Sequence, residues 1–356
     1  MRIDFSIDRL SGGGAERVMV TVANALAEHH EVRLITFNNG DQYSVSDNVR
    51  RIKLHEGSIK NHKLRSIVNL FRFYKKQGPK PDILISFMPP NGFIAIIVGL
   101  LLKINVIVSE HINHTFNRKS NKDIFIQKYL YRFAGFITVL TSYDVEYYTK
   151  MGAKVVVMPN PISVPDRTKP FEEREKTILL VGSLDRYHQK GFDAFLPAVA
   201  PILKEHPDWT LRILGGGSIG LPYLQNIAQG LGIENHIKFE GFCPNVFEIM
   251  QNSQIFVLPS RHEGLPMGLM EALSNGMSCV AYDCVSGPSE LIEHRSNGLL
   301  VENQNPEAMQ ENLKLLLENE SLRLDLATRA PESMKKFSLS EIISKWETLF
   351  KELSTD

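Results

Sequence analysis

The stretch RIDFSIDRLSGGGAERVMVTVANALAEHHEVRLITF, residues 2–37, decides the fold. Residues 2–7 and 31–37 are rich in apolar side chains and have the length of buried strands. Between them, a glycine-rich turn leads into apolar residues at the spacing of an amphipathic helix. A strand, a helix and a second strand in this order form a βαβ unit, in which the two strands are parallel.

The same alternation continues through both halves of the chain. Further strands are predicted at residues 82–87, 105–110, 135–140, 177–184, 210–217, 237–242, 254–260 and 278–284. Helical patterns fill the segments between them, and the C-terminal part is largely helical. The sequence therefore predicts an α/β protein with two Rossmann-like, doubly wound domains that face each other across a cleft. In such sheets, ligands bind beyond the carboxyl ends of the strands.

A proline-rich segment followed by a cluster of charges separates the two halves. This composition is typical of a linker between domains. We predict an N-terminal domain at 1–160, a linker at 161–176 and a C-terminal domain at 177–338. A final helix is predicted at 339–356, for which one option is a return to the N-terminal domain.

Composition restricts the compartment and the partners. Lys plus Arg and Asp plus Glu number 40 each, so the net charge gives no reason to expect a nucleic-acid partner. The three cysteines include no CxxC pair, which favours a reducing compartment without a disulfide framework or zinc site. The N-terminus lacks a signal-peptide pattern, and the longest apolar run, 93–102, has roughly half the length of a bilayer span. We expect a cytoplasmic protein that can still contact a membrane surface.

Two carboxylates bracket the start of a predicted helix. Glu263 follows the strand at 254–260, and Glu271 lies a turn or more inside the helix. Pro266 suits the first helical position, and residues 267–269 are expected to present free backbone N–H groups to an anion. By the helical rise, the acids bracket a molecule about 10 Å long, which fits a nucleotide diphosphate-sugar. The alternative is that Glu263 caps the helix and Glu271 is solvated.

These residues resemble a known family. The sequence EGLPMGLME, 263–271, is similar to the Glu-x7-Glu signature of retaining glycosyltransferases of family 4, which have the GT-B fold. The resemblance covers nearly the whole chain, and it is closest to N-acetylgalactosaminyltransferases that extend undecaprenyl-pyrophosphate-linked glycans in bacterial N-glycan and O-antigen assembly. Further motifs occur in the order of the family, namely SGGGAERV at 11–18, SEH at 109–111, MPNPI at 158–162, VGSLDRYHQKGFD at 181–193 and SGPSELI at 286–292.

The resemblance implies an acceptor-binding N-terminal domain, a nucleotide-sugar-binding C-terminal domain and a role for each matching residue. Glu263 meets the hydroxyls of the donor sugar, Lys190 neutralises the leaving diphosphate, and His111 lines the acceptor side near the anomeric carbon; these three are the implied catalytic residues. Glu271 binds the ribose, and backbone near Phe242 holds the uracil. The implied donor-binding residues are Gly13, Gly14, Arg186, Lys190, Phe242, Glu263, Gly264, Leu265, Pro266, Met267 and Glu271.

One position departs from the family pattern. The family usually has arginine directly after the glycine of VG, where this chain has Ser183. We expect Arg186, three residues later, to supply the missing guanidinium. The alternative is that Arg186 is a surface residue and that Lys190 acts alone.

The expected chemistry is same-face transfer, in which the leaving diphosphate accepts the proton of the acceptor hydroxyl. A covalent route needs a carboxylate below the anomeric carbon, and no candidate for it is evident in the sequence. Catalysis then rests on placement and charge stabilisation. The sequence has no Asp-x-Asp motif, so we predict an enzyme without a metal or other cofactor.

The segment KNHKLRSIVNLFRFYKKQGPK, 60–80, combines many cations with apolar residues at helical spacing and contains no acid. A cationic amphipathic helix suits an anionic membrane surface or a pyrophosphate head group. The alternative is a core-packed helix with a solvated basic face. Glu16 opens a helix and has either an acceptor contact or a purely capping role. The cations expected at the acceptor or membrane are Lys60, Lys63, Arg65, Arg72, Lys75 and Lys76.

Taken together, these features predict a UDP-sugar donor, a polyprenyl-pyrophosphate-linked acceptor and a cytoplasmic enzyme that is peripheral on the inner face of the cell membrane. The alternatives are a hexosyltransferase with another donor, a sugar-nucleotide epimerase, and a carbohydrate-binding protein without catalysis. A phosphorylase is disfavoured by the short chain. A dehydrogenase is disfavoured because GGGAER does not fit G-x-G-x-x-G and no acid closes the strand at 31–37.

Overall fold

The computed structural model describes residues 1–11, 13–115, 121–165 and 168–355, and in these ranges the chain divides into two compact α/β units. The first unit comprises Met1–Pro161 and Leu339–Asp356, and the second comprises Ile162–Ser338. Each unit is built on its own parallel sheet.

The first unit contains seven described strands in the order β3-β2-β1-β4-β5-β6-β7, all of them parallel. The strands are β1 Arg2–Ile7, β2 Glu31–Thr36, β3 Val49–Lys53, β4 Ile83–Phe87, β5 Asn105–Ser109, β6 Phe136–Val139 and β7 Val155–Val157. The helices are α1 Gly14–Leu26, α2 His62–Arg72, α3 Pro89–Leu102, α4 Asn121–Leu130, α5 Val145–Thr149 and α14 Leu339–Thr355. The C-terminal α14 contacts α1, and its Glu347 Oε1 lies 2.6 Å from His30 Nε2.

The second unit contains six described strands in the order β10-β9-β8-β11-β12-β13, again all parallel. The strands are β8 Glu175–Val181, β9 Thr210–Leu214, β10 Ile237–Gly241, β11 Ser253–Leu258, β12 Ser278–Tyr282 and β13 Leu299–Val301. The helices are α6 Tyr187–Lys190, α7 Phe192–Glu205, α8 Gly220–Leu231, α9 Val246–Asn252, α10 Met267–Ser274, α11 Pro288–Leu291, α12 Pro306–Glu318 and α13 Glu320–Met334.

The predicted βαβ unit and the predicted α/β class are confirmed. β1 and β2 are parallel neighbours, with Arg2 opposite Glu31 and Ile7 opposite Thr36, and α1 connects them. The apolar side of α1 is buried and includes Val18, Met19, Val22 and Leu26. The parallel pairing therefore follows from two short apolar runs separated by one amphipathic helix.

Two strands of the first sheet lie outside the predicted ones. β3 has the sequence VRRIK, in which charged residues interrupt the apolar pattern, and it forms one edge of the sheet. β7 has three residues and forms the other edge, directly before the proline-rich segment. In the segment predicted as a linker, β8 begins at Glu175, and residues 166 and 167 lie outside the described residues.

A buried ion pair joins β1 to β2 in the first unit. Arg33 and Asp4 are opposite each other in the sheet and both have 0% exposure. Arg33 donates from Nε and Nη2 to the Asp4 carboxylate at 2.7 and 2.8 Å, and the Tyr74 hydroxyl donates to the same carboxylate at 2.6 Å. Burial raises the pKa of Asp4, while the bonds from Arg33 act in the opposite direction. The network therefore ties the segment after α2 to the sheet through Tyr74.

Both sheets reverse their winding direction between two neighbouring strands. In the first sheet these strands are β1 and β4, and in the second sheet they are β8 and β11. Ligands of doubly wound sheets bind at the carboxyl ends of such strands, where the loops diverge. The loops after these four strands are therefore where functional residues are expected. In the described part of the chain, no helix combines the length and apolar character that spanning a bilayer requires.

Candidate active site

Glu263 lies in the loop after β11, at the carboxyl edge of the second sheet. It is 9% exposed, and its Oε1 accepts hydrogen bonds from Lys190 Nζ at 2.7 Å and from Ser260 Oγ at 2.7 Å. Lys190 ends α6, which follows β8. The structure thus brings two residues that lie 73 positions apart in sequence into one ion pair at the point where the winding reverses.

Gly191 lets the loops after β8 and β11 approach each other. Its φ is +71°, and a Cβ at this position would lie 1.8 Å from the carbonyl oxygen of Pro259. The same loops are joined by a hydrogen bond from the Arg261 N–H to the Gln189 carbonyl at 2.9 Å, and by an Arg261–Asp193 ion pair at 2.6 Å. Lys190 directly precedes Gly191. The close approach of the two loops therefore brings the Lys190 ammonium within hydrogen-bond distance of Glu263.

Two further glycines shape the surroundings of the ion pair. A Cβ at Gly182, the glycine of the VG sequence, would lie 3.2 Å from Cδ of Lys190, so the lysine stem runs over the bare backbone there. Gly287 has φ +103°, and a Cβ on it would lie 2.3 Å from the carbonyl oxygen of Gly264. The Ser286 N–H donates to the Glu263 carbonyl at 3.1 Å. The loop after β12 therefore supports the backbone on both sides of Glu263.

The start of α10 differs from the prediction. Pro266 is the N-cap of the helix, outside its first turn, and α10 begins at Met267. The Leu269 N–H, which was expected to be free, donates to the Pro266 carbonyl at 3.1 Å, because that carbonyl already closes the first turn. Met267 and Gly268 hold the first two helical positions, where a backbone N–H has no partner within its own helix. The N–H groups that α10 can offer to an anion are therefore those of two residues.

The other residues expected to bind the donor lie around this edge. Glu271 is half-buried inside α10, and Leu265 is buried before it. Phe242 follows β10 and is 83% exposed. The contacts that the family resemblance implies for these three residues with ribose, sugar and uracil stay predictions.

Positive charge at this edge comes from lysine and arginine. Arg186 ends a short 3-10 turn after β8, is exposed, and makes no side-chain hydrogen bond or ion pair with the described residues. Lys190 has its ammonium on Glu263 and a side chain that is 20% exposed. Across the described ranges, no group of three or more His, Cys, Asp or Glu side chains is placed to hold a metal ion.

Ser260 and Asp185 are functional-site neighbours that the sequence did not reveal. Ser260 has 0% exposure and donates to Glu263. Asp185 Oδ1 accepts hydrogen bonds from the N–H groups of Ile219 at 2.8 Å and Gly220 at 3.0 Å, and these bonds lower the pKa of Asp185. The signal for Asp185 was present, since the turn LGGGS opens a helix whose first N–H groups need an acceptor.

In the first unit, Gly13 and Gly14 begin α1. Gly13 is the N-cap, and a Cβ on it would lie 2.1 Å from Oε2 of Glu16, whose side chain folds back over the helix start. A Cβ on Gly14 would meet no atom within 4 Å of the described structure. The geometry of Glu16 is that of an acid at a helix amino end, which fits the capping alternative. The approach of these glycines to a diphosphate stays a prediction.

His111 follows β5 at the carboxyl edge of the first sheet. Its Nε2 lies 3.1 Å from Ser109 Oγ, which also accepts a hydrogen bond from Thr138 Oγ1 at 2.9 Å, and its ring stacks on Phe87 at 4.7 Å. Ser109 can then give its own proton to Nε2, which leaves the ring proton on Nδ1. Burial lowers the pKa of His111 to about 3, so the imidazole is neutral at physiological pH.

His114, which no motif of the sequence includes, holds the loop after β5 in place. Its Nδ1 lies 2.6 Å from Oδ1 of Asp144, and the His114 backbone N–H donates to the same oxygen at 2.9 Å. The ring also stacks on Tyr147 at 4.1 Å and on Tyr143 at 5.3 Å. These contacts hold the loop after β5 against the segment after β6.

The basic segment forms α2 followed by one π-helical turn, residues 73–77. Ile67 and Phe71 pack against the core, whereas Leu64 is 51% exposed. α2 therefore packs on the core, as the alternative interpretation predicts, and it also exposes the apolar side chain of Leu64. The cations fall into a group at its amino end, Lys60, Lys63 and Arg65, and a group at its other end, Arg72, Lys75 and Lys76.

The low pKa of His111 predicts an acid-sensitive contribution to stability. Between about pH 3 and 6.5, the unfolded chain binds a proton at this residue and the folded protein does not, so the contribution of His111 to the free energy of unfolding rises by about 1.4 kcal/mol per pH unit. We expect His111→Gln to lose this part of the pH dependence. Urea unfolding of both proteins from about pH 4 to 7 checks it. An exposed control, His29→Gln, should keep the wild-type slope, and an unchanged slope in His111→Gln would contradict the prediction.

Comparison with known proteins gives the family. Residues 12–164 match the model "Glycosyltransferase Family 4", and residues 165–333 match the model "Glycosyl transferases group 1". The chain is 31% identical, over 99% of both sequences, to a Campylobacter jejuni GalNAc-α-(1→4)-GalNAc-α-(1→3)-diNAcBac-PP-undecaprenol α-1,4-N-acetyl-D-galactosaminyltransferase. It is 27% identical to the amylovoran biosynthesis glycosyltransferase AmsD of Erwinia amylovora, over 96% of this chain and 97% of that protein.

Solved structures agree on the architecture. The crystal structure of Anabaena HepE in complex with UDP superposes with a TM-score of 0.84 over 99% of this chain and 100% of that chain, at 16% identity. A galactosyltransferase of the lipopolysaccharide outer core, WaaB, superposes with a TM-score of 0.79 at 20% identity over 99% of both chains. The two parallel α/β units are those of the GT-B fold, and the chain belongs to the family 4 glycosyltransferases.

Proposed function

We propose that the protein is a retaining glycosyltransferase that transfers N-acetylgalactosamine in α linkage from a UDP-sugar to an undecaprenyl-pyrophosphate-linked oligosaccharide. The pathway would be assembly of a bacterial surface glycan, such as an O-antigen or other polysaccharide, or of a glycoprotein glycan. The choice of sugar and acceptor rests on the Campylobacter relative, whose name contains both and which aligns along the whole chain. The observation that carries the donor site is the ion pair between Lys190 and Glu263 at the carboxyl edge of the second sheet.

The donor proposal follows from the two charges of this pair. In the complex, Lys190 turns to the diphosphate, and Glu263 accepts hydrogen bonds from hydroxyls of the sugar in place of the ammonium. Glu271, one helical turn or more beyond the start of α10, accepts from the ribose hydroxyls. The first N–H groups of α10 add a fixed positive dipole beside the phosphates.

The proton balance favours the leaving group as the base. As the bond between the anomeric carbon and the UDP oxygen breaks, the acceptor oxygen forms a bond on the same face, and its proton passes to the departing diphosphate. His111, with a pKa of about 3, is too weak a base at neutral pH to take that proton. We assign it to a hydrogen-bonding role near the anomeric carbon.

The proposal includes no metal and no other cofactor. The sequence has no Asp-x-Asp motif, and Lys190, together with Arg186 and the amino end of α10, can stabilise the charge that develops on UDP. Of these groups, the amino end of α10 is fixed by the backbone, so its dipole needs little reorganisation as the charge forms.

For the acceptor side, we propose that the cytoplasmic enzyme is peripheral on the inner face of the membrane. The exposed cations of α2 and the turn after it, together with the exposed Leu64, form a surface suited to anionic head groups. A lipid-linked acceptor has to be met at the bilayer, which makes such a surface useful to this reaction.

Two alternatives use the same fold. One is a hexosyltransferase with a different donor, and the other is a sugar-nucleotide epimerase. Incubation of the purified protein with a panel of UDP-sugars and a synthetic polyprenyl-pyrophosphate acceptor separates them. We expect transfer from UDP-N-acetylgalactosamine, with the anomeric configuration retained and with full activity in excess chelator. Transfer from another UDP-sugar would support the first alternative, conversion of the donor without an acceptor would support the second, and loss of activity with chelator would overturn metal independence.

Arg186 provides a test of the leaving-group proposal. Because its guanidinium would stabilise the transition state, we expect Arg186→Ala to lower kcat by about 10²-fold or more while the protein stays folded. Lys190→Ala should reduce turnover at least as much. Arg212→Ala is the matched control, because Arg212 lies on β9 and pairs with Glu240. Wild-type kinetics in Arg186→Ala would show that Lys190 acts without it.

The membrane proposal is tested with liposomes of neutral and anionic lipid. Electrostatic attraction contributes about 1 kcal/mol per lysine or arginine near an anionic surface, so we expect binding to anionic vesicles that weakens with added salt. The triple variant Arg72→Gln/Lys75→Gln/Lys76→Gln should bind more weakly. A control with the exposed Lys204, Lys335 and Lys351 changed to glutamine should bind like the wild type. Absent or salt-insensitive binding would refute the proposal.

A further inference from the structure

The C-terminal end of α3 exposes apolar side chains. The helix contains no charged residue, and Asn91, at its start, carries its only polar side chain. A helix that is apolar on all sides is normally covered on all sides. Leu100 and Leu101 are nevertheless 51% and 62% exposed, while the next residue, Leu102, is buried. The outer side of this helix end therefore has no cover among the described residues.

Exposed aromatic side chains lie at the same edge of the first sheet. α4 and the 3-10 turn that follows it, Tyr131–Phe133, both contact α3. Within them, Tyr129 is 46% exposed and Phe133 is 55% exposed. α3 leads into β5 and the turn leads into β6, and these strands are parallel neighbours, so both segments end at the amino edge of the sheet. Several exposed apolar residues at one edge, unlike scattered single ones, mark an interaction surface.

Cations lie beside these four residues, Leu100, Leu101, Tyr129 and Phe133, which we call the apolar patch. Lys103 directly follows α3, and Lys128 and Arg132 are sequence neighbours of the two aromatic members; all three are exposed. Lys80, in the segment after α2, donates from Nζ to the Leu102 carbonyl at 2.9 Å, so its ammonium also lies at the end of α3. This contact connects the apolar patch to the cationic turn after α2.

The neighbouring segments carry fewer acids than cations. Asp82, directly before β4, accepts a hydrogen bond from the backbone N–H of Arg2 at 2.7 Å. Glu352 lies near the end of α14, beside Leu353, whose Cδ2 would be 2.5 Å from a Cβ on Gly135. Against these two acids stand the four cations next to the apolar patch. The edge therefore combines apolar surface with an excess of positive charge.

An anionic bilayer fits this combination better than a second copy of the chain does. Leucine and phenylalanine gain free energy on leaving water, tyrosine is enriched at membrane interfaces, and lysine and arginine extend towards head groups. In a symmetric dimer, the apolar patch would meet its own copy, and the cations beside it would face cations. The charge complement of this surface is found in anionic lipid.

We propose that the amino edge of the first unit inserts its apolar patch into an anionic bilayer. Leu100, Leu101 and Phe133 enter the boundary between head groups and acyl chains, and Lys103 and Arg132 contact the lipid phosphates. The inference rests on the membrane part of the proposed function and deepens it. The cations of α2 and its turn supply attraction, and the apolar patch supplies insertion.

The orientation of the first unit on the membrane follows from this contact. α3 has 14 residues and is about 21 Å long, and it runs from the carboxyl edge of the sheet to the inserted edge. The carboxyl edge, where His111 lies, is therefore held away from the head groups by about the length of this helix. An acceptor whose lipid pyrophosphate already carries an oligosaccharide spans that gap better than one with a single sugar.

Vesicle binding at low and high salt tests the apolar patch separately from the cations. The vesicles contain phosphatidylcholine and phosphatidylglycerol in equal parts. We expect Leu100→Gln/Leu101→Gln to weaken binding by about tenfold or more, because two exposed leucines lose their burial in lipid. The loss should be the same factor at both salt concentrations, since salt screens charge and not apolar contact. The control Phe247→Gln/Leu324→Gln changes two exposed apolar residues of the second unit and should bind like the wild type.

Wild-type affinity in Leu100→Gln/Leu101→Gln would overturn the proposal and leave the attraction by the α2 cations standing. A loss that disappears at high salt would overturn it too. Sedimentation without lipid gives a further check, because a wild-type dimer that this variant does not form would show that a second copy covers the apolar patch. Failure of the transferase function is separate, since it would appear as absence of turnover with a water-soluble acceptor, on which the variant should match the wild type.

A fluorescent reporter follows the apolar patch directly. The two native tryptophans, Trp209 and Trp346, are each 2% exposed, so lipid should leave their emission unchanged. We expect the added tryptophan of Phe133→Trp to be quenched when the protein binds vesicles whose lipids have brominated acyl chains. Phe247→Trp, the matched control on α9, should not be quenched. Vesicle-bound Phe133→Trp protein without quenching would overturn the proposal.

Discussion

The ion pair between Lys190 and Glu263 is the interaction on which the candidate donor site depends. A carboxylate that is 9% exposed is costly unless a cation and further donors satisfy it, and here Lys190 and Ser260 both do so at 2.7 Å. The pair joins the loops after β8 and β11, where the second sheet reverses its winding. In the proposed complex, the diphosphate binds Lys190, and sugar hydroxyls donate to Glu263 in place of the ammonium. Both charged side chains therefore keep partners when the donor binds, and neither charge is left buried without one.

That pair exists because the backbone around it can come unusually close. At Gly191 and Gly287, a Cβ would overlap a carbonyl oxygen of the neighbouring loop, and both residues have positive φ. A side chain at either position would push the loops after β8, β11 and β12 apart. At Gly182, the added carbon would meet the stem of Lys190, which could shift more easily. Close contact between the loops therefore requires glycine at these positions. A role in the approach of a ligand is additional.

The sequence was sufficient for those parts of the molecule that repeat a local pattern. β1, α1 and β2 follow from apolar runs and helical spacing, and Glu263 follows from its place between a strand and a proline. β3 and β7 were missed because an edge strand needs few apolar residues, as VRRIK and VVV show. The Asp144 partner of His114 and the acceptor role of Asp185 depend on contacts between segments about 30 residues or more apart, and only the second has a sequence signal, the turn LGGGS. Ser260 contacts Glu263 three residues later, through a loop conformation that the sequence pattern does not specify. Pro266 was predicted at the first helical position and is the N-cap, one position earlier, because a proline fits both places.

The two units present different electrostatics to a ligand. At the edge of the second sheet, Lys190, the exposed Arg186 and the amino end of α10 supply positive charge or dipole, which suits a diphosphate. At the edge of the first sheet, His111 is neutral at physiological pH because burial lowers its pKa to about 3. In the proposed function, the diphosphate of the donor lies at the second unit and the uncharged acceptor hydroxyl at the first. A transferase has to place a charged leaving group and a neutral nucleophile. This difference in charge between the two units helps to orient both substrates, in addition to the contacts with the reacting atoms.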